Sequence, residues 1–200
     1  MEHIKQESTV DCAIACLAMV TGYSYEEVLD RLPFNPFNEF EVDTVEGKTR
    51  VPYSFMADEI PVFLSLYGFN HVRLHTTNFF SAFGPQEMKE RFSKGKCLLP
   101  TQDQVKFLLR RLGVPAILLI EPWLDDYVEH HAVVYDPITR KMYFDPHTEH
   151  NDNGSFYPIE ECLIYQVILV PEKVNNNDNF NFIDALKRHL AISMDHISGE

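Results

Sequence analysis

The sequence predicts an α+β protein, helical in its first half and β in its second. Three features predict it. Residues 12–21 are a helical run without a charged side chain, stopped by Gly22. Two Ser/Thr-x-x-Glu/Gln signatures, at Ser24 and Thr101, open further helices. Beyond residue 115 come four apolar runs of strand length, the pattern of helices followed by a mostly antiparallel sheet.

Two hundred residues are enough for one domain with a substantial core. A net charge of −13 argues against nucleic acid, which requires clustered Lys and Arg, and against an anionic membrane surface. No apolar stretch approaches the length of a membrane span, and the segment from Met1 to Gln6 lacks the apolar core of a signal peptide. The cysteines are Cys12, Cys16, Cys97 and Cys162. The first two stand one helical turn apart, a poor geometry for a disulfide. A reduced, cytoplasmic setting is therefore expected.

The first helix has no polar face and has to be buried nearly all round. Ser24 and Glu27 open a second helix, which Pro33 ends. Residues 34–55, aromatic and bearing Asn and Pro, read as a long loop. Residues 56–67 read as a helix with Pro61 in its first turn and Gly68 after its end. Residues 71–76 alternate as a strand, and 85–92 read as a short helix. Thr101 and Gln104 open a helix that stops at Gly113. Strands are expected at 116–120, 131–135, 141–145 and 164–170, the middle pair joined by a turn at 136–140. Residues 1–172 form the domain. Residues 173–200 are an Asn-rich linker followed by an amphipathic helix at 180–194, which either docks on the domain or binds a partner.

Four residues form a candidate constellation. Cys12 starts the first helix, where the positive end of the helix dipole and unpaired amides favour thiolate. Taken alone, Cys12 reads as a core thiol like Cys16, since free cysteines are among the most buried residues. Gln6 lies six residues upstream, where a side-chain amide can aim at an oxyanion beside the Cys12 amide. His131 begins an apolar strand and can project into a cleft as general base. His130 competes with it, but alternation points the two side chains to opposite faces. Asp145 ends the next strand and can accept from the imidazole, fixing its tautomer. Asp136 reads as a turn former. His130, His131, His147 and His150 cluster in sequence, but without HExxH or paired CxxC spacing neither metal nor other cofactor is expected.

These residues carry a family likeness. Gln6 with Asp11-Cys12-Ala13-Ile14-Ala15-Cys16-Leu17-Ala18-Met19 resembles the nucleophile motif of the double-glycine leader peptidases that process bacteriocins, and of their free-standing relatives. That pattern reads Gln, then Asp-Cys-Gly-x-Ala-Cys-Leu-x-Met. His131-Ala132-Val133 and Asp145-Pro146 are similar to the family's His strand and Asp-Pro, and residues 113–120 to the strand before that His. Tyr67-Gly68 is similar to a Tyr-Gly turn of the family. The likeness touches both ends of the first 170 residues and is poor between 34 and 100. It departs at Ala13, where the family has Gly, and the peptide exporters' membrane region is not expected here. The resemblance implies a papain-like cysteine peptidase fold, its helical half packing the Cys12 helix on an antiparallel sheet that carries His131 and Asp145.

The expected function is a cysteine peptidase-like hydrolase acting on a peptide or isopeptide bond through a thioester. The resemblance implies a peptide or protein substrate with glycine before the scissile bond. Two alternatives stay open. A glutamine deamidase or transamidase would use the same triad, and a non-catalytic module would bind protein on the same scaffold.

Overall fold

The computed structural model describes residues 4, 7, 11–32, 39–44, 47–52, 59–79, 86, 100–122, 131–138, 141–143 and 162–171. The expected helix at 85–92, the end of the strand at 141–145, the linker and the C-terminal helix lie wholly or largely outside them.

Helix α1, Cys12–Thr21, has every residue from Ala13 to Met19 buried, as a helix with no polar face requires. It stops at Gly22, whose φ of 74° is accessible to glycine and whose amide donates to the Ala18 carbonyl. Helix α2, Tyr25–Arg31, opens with the expected capping box. The Glu27 amide donates to Ser24 Oγ at 3.1 Å, and the Ser24 amide to the Glu27 carboxylate at 2.8 Å. Helix α3 is described over Glu59–Leu66, with Pro61 in its first turn, and residues 56–58 of the expected helix lie outside the described residues. Arg31 ties α2 to α3. Its guanidinium lies 4.4 Å from the Tyr23 ring centre and 5.4 Å from that of Tyr67, whose hydroxyl donates to the Arg31 carbonyl. Helix α4, Gln102–Leu112, carries the second capping box and ends before Gly113.

Residues 34–55 were expected as a loop. They contain instead an antiparallel hairpin, β1 (Glu39–Thr44) and β2 (Gly47–Pro52). Its register sets Glu41 opposite Arg50 and Asp43 opposite Lys48, unlike charges in directly paired positions. Acidic residues alternating with Phe40 and Val42 were the signal in the sequence.

The main sheet holds β3 (Val72–His75), β4 (Ala116–Pro122), β5 (His131–Asp136), β6 (Lys141–Tyr143) and β7 (Cys162–Leu169). Their order is β3-β7-β4-β5-β6, and every neighbouring pair is antiparallel. Both faces are covered, which explains why the central strands are almost continuously apolar. On one face α1, α2 and α3 pack over Ile117, Ala132, Val134 and Ile168. On the other, Val105, Leu108 and Leu109 of α4 pack over Leu118, Ile120, Val133 and Tyr135. Asp136 is the expected turn former, its carboxylate accepting the Ile138 amide at 2.9 Å.

Strand β7 contains a bulge. Leu119 pairs with Gln166 but the next residue, Ile120, pairs with Ile164, so Tyr165 is the extra residue. Two side chains hold it. Gln102 of α4 donates to the Ile164 carbonyl at 2.5 Å and accepts the Ile164 amide at 2.9 Å. Thr76, fully buried, donates to the same carbonyl at 2.7 Å. Replacing Gln102 by Leu strands a backbone donor, and should lower unfolding free energy in urea by about 2 kcal/mol. A change under about 0.5 kcal/mol would show that the bulge does not depend on that amide.

Candidate active site

Cys12 is the first residue of α1 and is half-buried, whereas the six residues after it are at most 2% exposed. The charge-free helix is sunk into the core from Ala13 to Met19, and its two ends are partly exposed, Cys12 at the amino end. Cys16 and Cys162 are buried thiols. Among the described cysteines, Cys12 alone is accessible to a reagent.

The residue before it behaves unusually. Asp11 occupies the capping position, yet its side chain makes no cap hydrogen bond. Its carboxylate, 1% exposed, turns back to accept the Glu7 amide at 3.0 Å and the Tyr25 hydroxyl. The Asp11 carbonyl takes the amides of Ile14 and Ala15. The amides of Cys12 and Ala13 therefore have no acceptor among the described residues. These are the groups an oxyanion at the thiol would need. Tyr25 sits 5% exposed at the start of α2. Burial, then the bond to Asp11, pushes its phenol well above the ordinary range, so it serves as a protonated donor.

Helix α1 packs directly on β5, the strand that begins with His131. Cys12 borders the apolar cluster that includes Ala132, the residue after His131. His131 is half-buried and forms the last rung of the β4–β5 ladder, opposite Ile120. Alternation along β5 gives the α1 side Ala132 and Val134, and the α4 side Val133 and Tyr135. Strict alternation thus assigns His131 to the α4 side. That is the face opposite the one covered by α1, the helix that carries Cys12. Gln6, Asp145 and His130 lie outside the described residues, as do Cys97, His147 and His150.

A second phenol–carboxylate pair stands beside this end of the sheet. The bulge residue Tyr165 donates to the carboxylate of Glu121, the residue after Ile120 on β4. Burial, then this bond, pushes the Tyr165 phenol up to about 12. The two pairs brace the start of α1 and the end of β4. Neither Asp11 nor Tyr25 was singled out in the sequence. An aspartate before a helix reads as its cap, and nothing local marks a phenol fourteen positions away.

Among the described residues, no three His, Cys, Asp or Glu side chains are grouped as a metal ion requires, and no helix is long and apolar enough to cross a membrane. The chain matches no protein-family model, no curated protein and no solved structure.

Two measurements check this geometry. Iodoacetamide applied to the native protein should modify Cys12 while Cys16 and Cys162 react only after unfolding, as read by peptide mass mapping; equal native labelling of all three would contradict the burial pattern. Both phenols have folded values above the ordinary value of about 10, so their stabilisation is complete below that pH and lost as pH rises through the folded values. Stability in urea should therefore fall above roughly pH 10, and Tyr165→Phe should flatten part of that fall.

Proposed function

We propose that the protein is a cysteine peptidase-like hydrolase, with Cys12 as nucleophile and His131 as general base. The observation that carries the reading is the thiol's position. A half-buried cysteine heads a buried, charge-free helix whose first two amides have no acceptor among the described residues, and that helix packs on the strand opened by His131. A helix terminus favours the thiolate and offers backbone donors to a negative oxygen. A strand with both faces covered is a rigid mount for an imidazole at its end.

In the proposed cycle His131 takes the Cys12 proton and the sulfur attacks a peptide or isopeptide carbonyl. The oxyanion is held by the Cys12 amide and, from the sequence motif, by Gln6. His131 then gives its proton to the leaving amine, and water releases the acyl group from sulfur. Asp145 is the proposed partner of the imidazole's other nitrogen. The family likeness adds glycine before the scissile bond as the proposed preference and the papain-like arrangement as the proposed fold. The acidic chain suits a neutral or basic peptide in a cytoplasmic setting.

Cleavage of fluorogenic peptides ending in Gly-Gly tests the reading, alongside labelling by a peptide aldehyde. Cys12→Ala should abolish both, and Gln6→Ala should cost roughly 3 kcal/mol of barrier. His131→Ala should reduce turnover by at least about a thousandfold, with His130→Ala much milder. Undiminished cleavage or aldehyde capture in Cys12→Ala would end the proposal. The reverse order for the two histidines would move the base to His130.

A further inference from the structure

An aspartate immediately before a helix ordinarily caps it, its carboxylate accepting the amide of the second or third helical residue. At α1 that arrangement would set a negative charge among the amides of Cys12, Ala13 and Ile14. It would oppose a thiolate and compete with an oxyanion for the same donors. Asp11 avoids it. Its buried carboxylate makes no cap hydrogen bond, and the Glu7 amide and the Tyr25 hydroxyl both bind the same carboxylate oxygen.

We propose that Asp11 and Tyr25 are positioning residues for the reaction at Cys12. The phenol holds the Asp11 carboxylate off the α1 terminus, which leaves the Cys12 and Ala13 amides open to the substrate oxygen. The same carboxylate, by gripping the Glu7 amide, fixes the chain next to Gln6. The proposal rests on the thiol-hydrolase reading for its catalytic consequence, but its electrostatic consequence is measurable without turnover. The charged groups acting on the Tyr25 phenol are Asp11, Glu7 and Glu26, all acidic. They oppose phenolate, so the donor persists across the working pH range. On β5, the strand on which α1 packs, His131 is the first titratable residue.

The test is the pH–rate profile for alkylation of Cys12 by iodoacetamide, followed on the Cys12 peptide by mass spectrometry, with peptide turnover measured in parallel. Without the phenol, the carboxylate swings to its ordinary capping role. Tyr25→Phe should therefore move the profile to higher pH by about one unit and cut turnover about a hundredfold in a folded protein. Asp11→Asn, whose amide oxygen accepts the same two bonds, should keep the wild-type profile and most of the turnover. The double variant Tyr25→Phe/Asp11→Asn should bring the profile back, because no charge remains to swing. A folded Tyr25→Phe with the wild-type profile would overturn the proposal, and so would a double variant that keeps the shift. If Tyr25→Phe does not fold, Asp11→Ala is read instead. It should lower turnover while leaving the alkylation profile in place, and unchanged turnover would overturn the proposal. Failure of the hydrolase reading is separate, since it appears as an inactive wild-type protein whatever the alkylation profiles show.

Discussion

A ten-residue helix without a charge has no face to give to water, and that constraint organises the rest of the molecule. Helix α1 has to be enclosed, and α2, α3 and one face of a five-stranded sheet enclose it. Burying its Ile, Leu and Met side chains contributes roughly 1.5–3 kcal/mol apiece. Enclosure from Ala13 to Met19 leaves the two ends of the helix partly exposed, and the residue at the amino end is Cys12. The same packing that makes the core thus exposes one thiol, at the end of the helix where thiolate is favoured.

The sheet meets the helix with its own asymmetry. Helix α1 covers the Ala132 and Val134 side of β5, and α4 covers the Val133 and Tyr135 side. Small and branched residues under α1 allow close approach, and the strand between two layers is held from both sides. At its open end, next to His131, regular pairing gives way. The bulge at Tyr165 is pinned by Thr76 and Gln102 through the Ile164 carbonyl, and the bulged phenol grips Glu121. Bulges re-aim side chains near sites of chemistry. Here one stiffens the edge from which the proposed base projects.

Much of this was legible in the sequence, because local chemistry decided it. Both capping boxes formed as written, at Ser24 with Glu27 and at Thr101 with Gln104. Helices α1 and α4 stopped at Gly22 and Gly113, the residues best able to adopt a positive φ. The strands at the end of the chain announced themselves by apolar runs. The β1–β2 hairpin was missed because Asn, Pro and aromatic residues around it spoke for a loop, while the register that sets Glu41 opposite Arg50 and Asp43 opposite Lys48 is a pairing no single segment displays. In the candidate site, the place of Cys12 at the start of α1 was readable from the charge-free run that it opens. The diversion of Asp11 was not. It depends on Tyr25, and two residues fourteen apart acquire a shared role only once α2 folds back on α1. The side to which His131 points was likewise a tertiary matter, settled by which helix covers which face of β5.

The most direct measurement is a crystal structure of the protein after capture of a peptide aldehyde. The expected result is a thiohemiacetal bonded to Cys12 Sγ, its oxygen accepting the Cys12 amide and a histidine from the start of β5 beside the sulfur. An adduct on another cysteine, or an oxygen turned away from the α1 amides, would contradict the assignment of this helix terminus as the site of chemistry.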